Sequence, residues 1–91
     1  MRIISGKFRS TKLFIPLGKE TRPLKDITKE SIFNTLLHFK KLPFKFKNAK
    51  ILDLYSGTGS FGLECLSRDA SKVTFVENNK NALKILQKNI Y

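Results

Sequence analysis

Residues 53–62 read Asp53-Leu54-Tyr55-Ser56-Gly57-Thr58-Gly59-Ser60-Phe61-Gly62. Glycines 57, 59 and 62 fit G-x-G-x-x-G, and the apolar residues Ile51, Leu52 and Leu54 leading into them read as a strand. Glycine adopts positive φ without penalty and lets the backbone approach a ligand closely. A helix opening just beyond the turn offers unpaired N–H groups and the positive end of its dipole. A second apolar run, Val73-Thr74-Phe75-Val76, ends in Glu77. A carboxylate at the end of the second strand suits a ribose diol, because it accepts two hydroxyl hydrogen bonds. The whole constellation is far more specific than the glycines alone. Two cofactor classes fit it: a nicotinamide or flavin dinucleotide, and S-adenosylmethionine. Asp53 favours the second. It would repel a pyrophosphate, but it suits the cationic methionine end of S-adenosylmethionine. The plainer reading is a glycine turn that only tightens a strand–helix corner.

Ninety-one residues allow one small domain with a modest core. No apolar run approaches the roughly 20 residues needed to span a bilayer, and Met1–Gly6 does not read as a signal peptide. The single Cys65 reads as a small buried helix residue. It fits a reducing compartment, so a cytoplasmic location is expected. Charge is uneven. Residues 1–50 hold thirteen Lys or Arg against three Asp or Glu, a net of +10, whereas residues 51–91 are nearly neutral at +1. A basic half joined to a nearly neutral cofactor half points to a polyanionic partner, most plausibly nucleic acid. The bland alternative is a lysine-rich solvated face.

Two regions follow: an arm and connector over 1–25, and a first helix with a βαβα unit over 26–91. In the arm, Arg2-Ile3-Ile4 and Leu13-Phe14-Ile15 flank Ser5–Lys12 as a hairpin, with Gly6 at a turn or bulge. Lys7, Arg9 and Lys12 alternate with Phe8. This pattern neutralises phosphates and stacks on a base, or it is a polar tip whose Phe8 packs back onto the domain. Asp26 or Thr28 caps a helix in which Ile27, Ile32, Phe33, Leu36 and Leu37 make the core stripe. Phe44 and Phe46 anchor the connector that follows. Helix Ser60–Ser67 and strand Lys72–Val76 come next. Asn78 or Asn79 then caps a last helix with Ala82, Leu83, Leu86 and Ile90 inward. His38 is an ordinary helix-face residue, and no metal site is expected.

Several segments occur together in order: Met1–Arg9, Thr21-Arg22-Pro23, Lys29-Glu30-Ser31-Ile32-Phe33-Asn34, Asp53–Glu64 and Val73–Glu77. In this combination the chain resembles the N-terminal half of the RsmD-type methyltransferases, which modify the N2 amine of a guanine in small-subunit (16S) ribosomal RNA. The resemblance implies a partial class I, Rossmann-like α/β fold with parallel strands and flanking helices. It implies S-adenosylmethionine as donor, and ribosomal RNA or a small-subunit assembly particle as partner. By position, Asp53, Ser56, Gly57, Thr58 and Gly59 would line the methionine side. Glu77 would hold the ribose, Asn78 would lie near the adenine, and Arg22 would stand beside the pocket. The family's Arg-Glu pair in the first helix is Lys29-Glu30 here, and Leu24 replaces its usual Thr. The family's downstream Asp/Asn-Pro-Pro-aromatic motif, which positions the target amine, has no counterpart, since Pro16, Pro23 and Pro43 are not adjacent. No catalytic residue is therefore assigned, and the chain reads as the donor-binding part of an enzyme. The alternatives are a non-catalytic RNA- or ribosome-binding module and, less favoured, a dinucleotide oxidoreductase fragment. Strand one is central in the family's sheet. Its unpaired edge would invite self-association.

Overall fold

The computed structural model describes residues 1–15, 26–38 and 45–90. Arg22, Leu24, Pro16, Pro23, Pro43 and Phe44 lie outside the described residues. In chain order the elements are α1 (Asp26–His38), β1 (Lys50–Leu54), α2 (Ser60–Ser67), β2 (Lys72–Val76) and α3 (Lys80–Ile90). β1 and β2 pair in parallel, with Lys50 opposite Lys72 and Leu54 opposite Val76. Parallel neighbours need a crossover, and α2 supplies it. The result is a βαβα unit preceded by a helix, the partial Rossmann-like arrangement expected from the alternating apolar runs.

Strand alternation decides which side is covered. Ile51 and Asp53 on β1, and Val73 and Phe75 on β2, turn toward α2. Two apolar clusters fill that side. One joins Phe33 and Phe46 to Cys65 and Ala70; the other joins Ile3 and Leu13 to Leu63. Gly62 is where α2 crosses the sheet most closely, since a Cβ there would strike the Phe75 ring and come within 2.8 Å of Val73. The opposite face keeps Leu52 and Leu54 exposed, at 60% and 56%. Among the described residues, then, one edge of β1 is unpaired, and the sheet face that carries Leu52, Leu54 and Val76 is open.

The first helix departs from the expected stripe. Phe33 is fully buried, and Ile32 and Leu36 are half-buried, but Ile27 is 83% exposed and Leu37 is also exposed. Lys29, one turn before Phe33, takes the inner position instead. In α3, Ala82 and Leu86 are buried while Leu83 and Ile90 stay largely exposed. Asn79 is the cap of α3. Its Oδ1 accepts the Ala82 N–H at 3.0 Å.

Residues 1–15 form the expected hairpin, with Arg2 bridged antiparallel to Lys12. Ile3 donates to the Thr11 carbonyl at 2.9 Å, and Ser10 donates to that of Ile3 at 2.8 Å. A buried ionic network fixes it to the helices. Glu64, on α2, is inaccessible to solvent and accepts four bonds. Its Oε1 takes the Ile4 N–H at 2.8 Å and the Lys29 ammonium at 3.3 Å. Its Oε2 takes the Ser5 N–H at 3.0 Å and the Arg68 Nε at 3.0 Å. Lys29 Nζ also donates to the Arg2 carbonyl at 2.6 Å and to Ser60 Oγ at 2.9 Å. Among the described residues no buried side-chain nitrogen or oxygen is left without a partner. Burial holds the Lys29 pKa below its ordinary value, and the neighbouring Glu64 charge opposes that shift.

This network predicts an order of effects. Glu64→Leu leaves the buried Lys29 and two backbone N–H groups without their acceptor, and should destabilise by about 3–5 kcal/mol. Lys29→Met should cost less, because Glu64 keeps Arg68 and both N–H donors. Urea unfolding of the two variants checks this, and the reverse order would show that Lys29 is the indispensable member.

Candidate cofactor site and basic hairpin

The turn between β1 and α2 is held in shape from outside itself. Gly57 and Gly59 have φ of 57° and 86°, the left-handed region that favours glycine. Gly59 stands at the N-cap of α2 but has no side chain with which to cap it. Asp53 reaches across from β1, and its Oδ2 accepts the Gly62 N–H at 3.1 Å. A strand carboxylate thus satisfies one orphan donor of the helix and sits at the positive end of the dipole. Burial raises its pKa above the ordinary value, the Gly62 bond lowers it, and the charge of Glu77 raises it further.

Glu77 closes the turn from β2. Its Oε1 accepts the Gly57 N–H at 2.7 Å, and its Oε2 accepts the Asn79 N–H at 3.0 Å. These bonds, with Asn79 and then Gly57 contributing most, hold its carboxyl below the ordinary value. Each oxygen keeps a further lone pair. Ser56 extends the sheet. Its N–H donates to the Val76 carbonyl at 3.0 Å, its Oγ accepts the Val76 N–H at 2.9 Å, and the hydroxyl donates to the Asp53 carbonyl at 2.6 Å. Thr58 is buried and its carbonyl accepts Asn89 Nδ2 at 2.8 Å. Asn78 is exposed between Glu77 and Asn79.

Asp53, Ser56, Gly57, Thr58, Gly59, Glu77 and Asn78 are therefore gathered at the C-terminal ends of two parallel strands. Ligands of open α/β sheets bind at such strand ends. The hairpin residues gather elsewhere. Lys7, Phe8, Arg9 and Lys12 are all exposed, and Phe8 is 48% open, so it is not a core anchor. Lys7 Nζ lies 5.4 Å from its ring centroid. The tip is pinned to the far end of α2: Lys7 N–H donates to the Ser67 carbonyl at 2.8 Å, and Phe8 N–H donates to Ser67 Oγ at 2.9 Å. Ser67 in turn donates to the Ser5 carbonyl at 2.6 Å. Gly6, at φ 88°, packs so tightly on Ser67 that a Cβ would collide with its carbonyl.

Sequence reasoning passed over Lys29 as a buried cation, Ser67 as the hairpin's anchor, and Asn89. The Asn89 amide holds both backbone groups of Phe14, its Oδ1 accepting at 2.7 Å and its Nδ2 donating at 3.2 Å, as well as the Thr58 carbonyl. Only Lys29 carried a readable signal, its helical spacing from Phe33. Burial raises the Cys65 thiol to about 12, so it is an inert core residue. Among the described residues there is no cluster of metal-ligating side chains, and no described helix is long and apolar enough to cross a membrane.

Comparison with known proteins gives this geometry its context. The family described as conserved hypothetical protein 95 matches residues 1–91. The chain belongs to that family, the RsmD-type proteins. It is 39% identical over 90 residues to the ribosomal RNA small subunit methyltransferase D of Haemophilus influenzae, covering 99% of this chain and 44% of that protein. It is 36% identical over 90 residues to the putative rRNA methyltransferase YlbH of Bacillus subtilis, covering 99% of the chain and 46% of the relative. The solved structure of the putative methyltransferase yhhF from Escherichia coli superposes with a TM-score of 0.78 at 37% identity, covering 99% of this chain and 45% of that one. The chain thus spans less than half the length of these relatives.

The two carboxylates are predicted to respond oppositely to acid. Glu77, with its depressed pKa, contributes stability that is present above its ordinary value of 4.5 and is lost as pH falls through its folded value. Asp53, with its raised pKa, carries a cost at neutral pH that is relieved as pH falls. Carboxyl-carbon NMR titration should place Glu77 below its ordinary value and Asp53 above it. In Glu77→Gln the acid-side loss of stability should be smaller.

Proposed function

We propose that this chain is the donor-binding part of an S-adenosylmethionine-dependent methyltransferase acting on the N2 amine of a guanine in small-subunit ribosomal RNA. The observation that carries the reading is the pair of carboxylates, Asp53 and Glu77, held on either side of the glycine turn by backbone N–H groups. The names of the relatives support the methyl-transfer class and the ribosomal RNA substrate.

In this reading Glu77 accepts the ribose hydroxyls on the lone pairs that Gly57 and Asn79 leave. Asn78 lies beside the adenine. Asp53 and the turn 56–59 line the methionine end, where a cation would lower the cost of the buried Asp53 charge. Arg22 is assigned beside the pocket by resemblance. The donor supplies an electrophilic methyl on a sulfonium; the amine lone pair would attack it, the thioether would leave, and the amine would lose a proton. The turn and the two carboxylates only hold the donor. The arm of residues 1–25 serves as the RNA-contacting region, with Lys7, Arg9 and Lys12 on phosphates and Phe8 on a base. Residues 26–91 form the cofactor region, a cytoplasmic setting fits the reading, and the unpaired edge of β1 supports self-association of the 91-residue chain.

Calorimetry tests the donor. S-adenosylmethionine or S-adenosylhomocysteine should bind in preference to NAD, and Glu77→Ala and Gly57→Val should each weaken that binding. Preference for NAD would sink the reading. A second readout concerns catalysis. With no Pro-Pro-aromatic segment to position the amine, the 91-residue chain forgoes most of a proximity advantage worth about 7–11 kcal/mol. It should give only background labelling of small-subunit particles from radiolabelled donor. Strong, Glu77-dependent labelling would show that another group here positions the guanine.

A further inference from the structure

A second concave site lies away from the glycine turn. Between the hairpin, α1 and the C-terminal end of α2 is a hollow of about 460 Å³ lined by Arg2, Arg9, Arg68, Glu30, Asn34 and Leu37. Three arginines from three places in the sequence line it, with one carboxylate. α2 places it. Arg68 is the C-cap of this eight-residue helix and the glycine turn is at its N-cap, so the two sites are about 12 Å apart along the helix axis.

Arg68 is the fixed member. Its Nε donates to the buried Glu64, and its guanidinium carbon stands 4.5 Å from the Phe33 ring centroid. That bond uses one of the five guanidinium donors, and the ring sets the plane of the group. Arg2 is 60% exposed at its side chain and only loosely paired with Asp26, at 3.6 Å. Arg9 is exposed on the hairpin turn. The frame around them is rigid, because the Ile4 and Ser5 N–H groups are tied to Glu64 and the turn is tied to Ser67. One anchored and two solvent-facing arginines around a hollow match a phosphodiester, which takes forked donors from several directions.

We propose that this hollow is a phosphate-binding site for the RNA backbone, with Arg2, Arg9 and Arg68 as its donors. Glu30 on its rim restrains the affinity. The proposal rests on the RNA reading of the arm and moves its centre from the exposed tip to the base of the hairpin. It brings in Arg2 and Arg68, which the alternating basic pattern of the tip does not include.

The test is a salt titration of binding to a short fluorescein-labelled RNA hairpin, followed by anisotropy. Arg2→Gln should lower the slope of log K against log salt by about 0.7–0.9, the loss of one phosphate contact. Glu30→Gln should tighten binding at every salt concentration. Lys50→Gln, which removes the same charge from an exposed strand end outside the hollow, should leave the slope nearly unchanged. Because Arg2 and Glu30 are exposed side chains, urea midpoints should stay at the wild-type value. If RNA binds but Arg2→Gln and Glu30→Gln both leave binding unchanged, the hollow is not a phosphate site and the tip reading stands alone. An equal loss from Lys50→Gln would reduce the effect to net charge and would also overturn the site. A wild-type chain that binds no RNA would overturn the RNA reading and this inference together.

Discussion

The register of the hairpin turns first on one buried carboxylate. Glu64 cannot be solvated where it lies, so each of its lone pairs must find a donor inside the protein, and each does. The donors come from the arm, from α1 and from α2 itself. These segments must come together for the partners of Glu64 to be met. An ion pair of this kind adds little net stability over a well-packed apolar alternative, since desolvation offsets most of the attraction. Its physical consequence is register. Shift the hairpin by one residue and the Ile4 and Ser5 N–H groups no longer meet the two oxygens. Lys29 would then lose the Arg2 carbonyl as well.

The second constraint is the absence of side chains where α2 meets the sheet. Gly62 lets the helix lie against Phe75 and Val73, and Gly59 admits Leu86 of α3 where a Cβ would strike it. Close approach and positive φ leave the start of α2 without a capping side chain of its own. Asp53 fills that role from the neighbouring strand, and Glu77 does the same for Gly57 and Asn79. The groups proposed to hold a donor are therefore structural groups of the chain as well. Backbone donors fix their orientation, which would lower the ordering cost of binding.

Local pattern made the elements legible. The bounds of α2 and β2, the parallel βαβ unit and the strand-end cluster follow from apolar runs, glycines and the terminal acid. The buried faces of α1 and α3 were less legible. Ile27 lies half a turn away from Leu36 on the opposite face of α1 and is exposed, Leu37 stands at the margin of the buried stripe, and Lys29 holds an inner position that periodicity assigns to an apolar residue. The long-range polar anchors were not legible at all. Ser5 and Glu64 are 59 residues apart, and Phe14 and Asn89 are 75 apart. Such partners are chosen by tertiary geometry, and nothing in their own neighbourhoods distinguishes them from solvated Ser, Asn or Glu.

The arrangement of charge along α2 ties these constraints to function. At its N-terminus Asp53 accepts the Gly62 N–H at the positive end of the helix dipole, and Glu77 accepts the Gly57 N–H of the turn. At its C-terminus, where the dipole is negative, stands Arg68, which lines the same hollow as Arg2 and Arg9 of the hairpin. In the proposed reading a sulfonium donor and a phosphate backbone would occupy opposite ends of this short helix. Asn89 adds a mechanical link between the two regions. Its single amide grips the outgoing hairpin strand at Phe14 and the glycine turn at Thr58. A load on the hairpin is therefore carried to the turn by two routes, through Glu64 and α2 on one side and through Asn89 and α3 on the other. With both routes in place, the arm cannot tilt independently of the turn without breaking the hydrogen bonds of Glu64 or Asn89. If the arm contacts RNA as proposed, this coupling would turn contact at the arm into position at the turn.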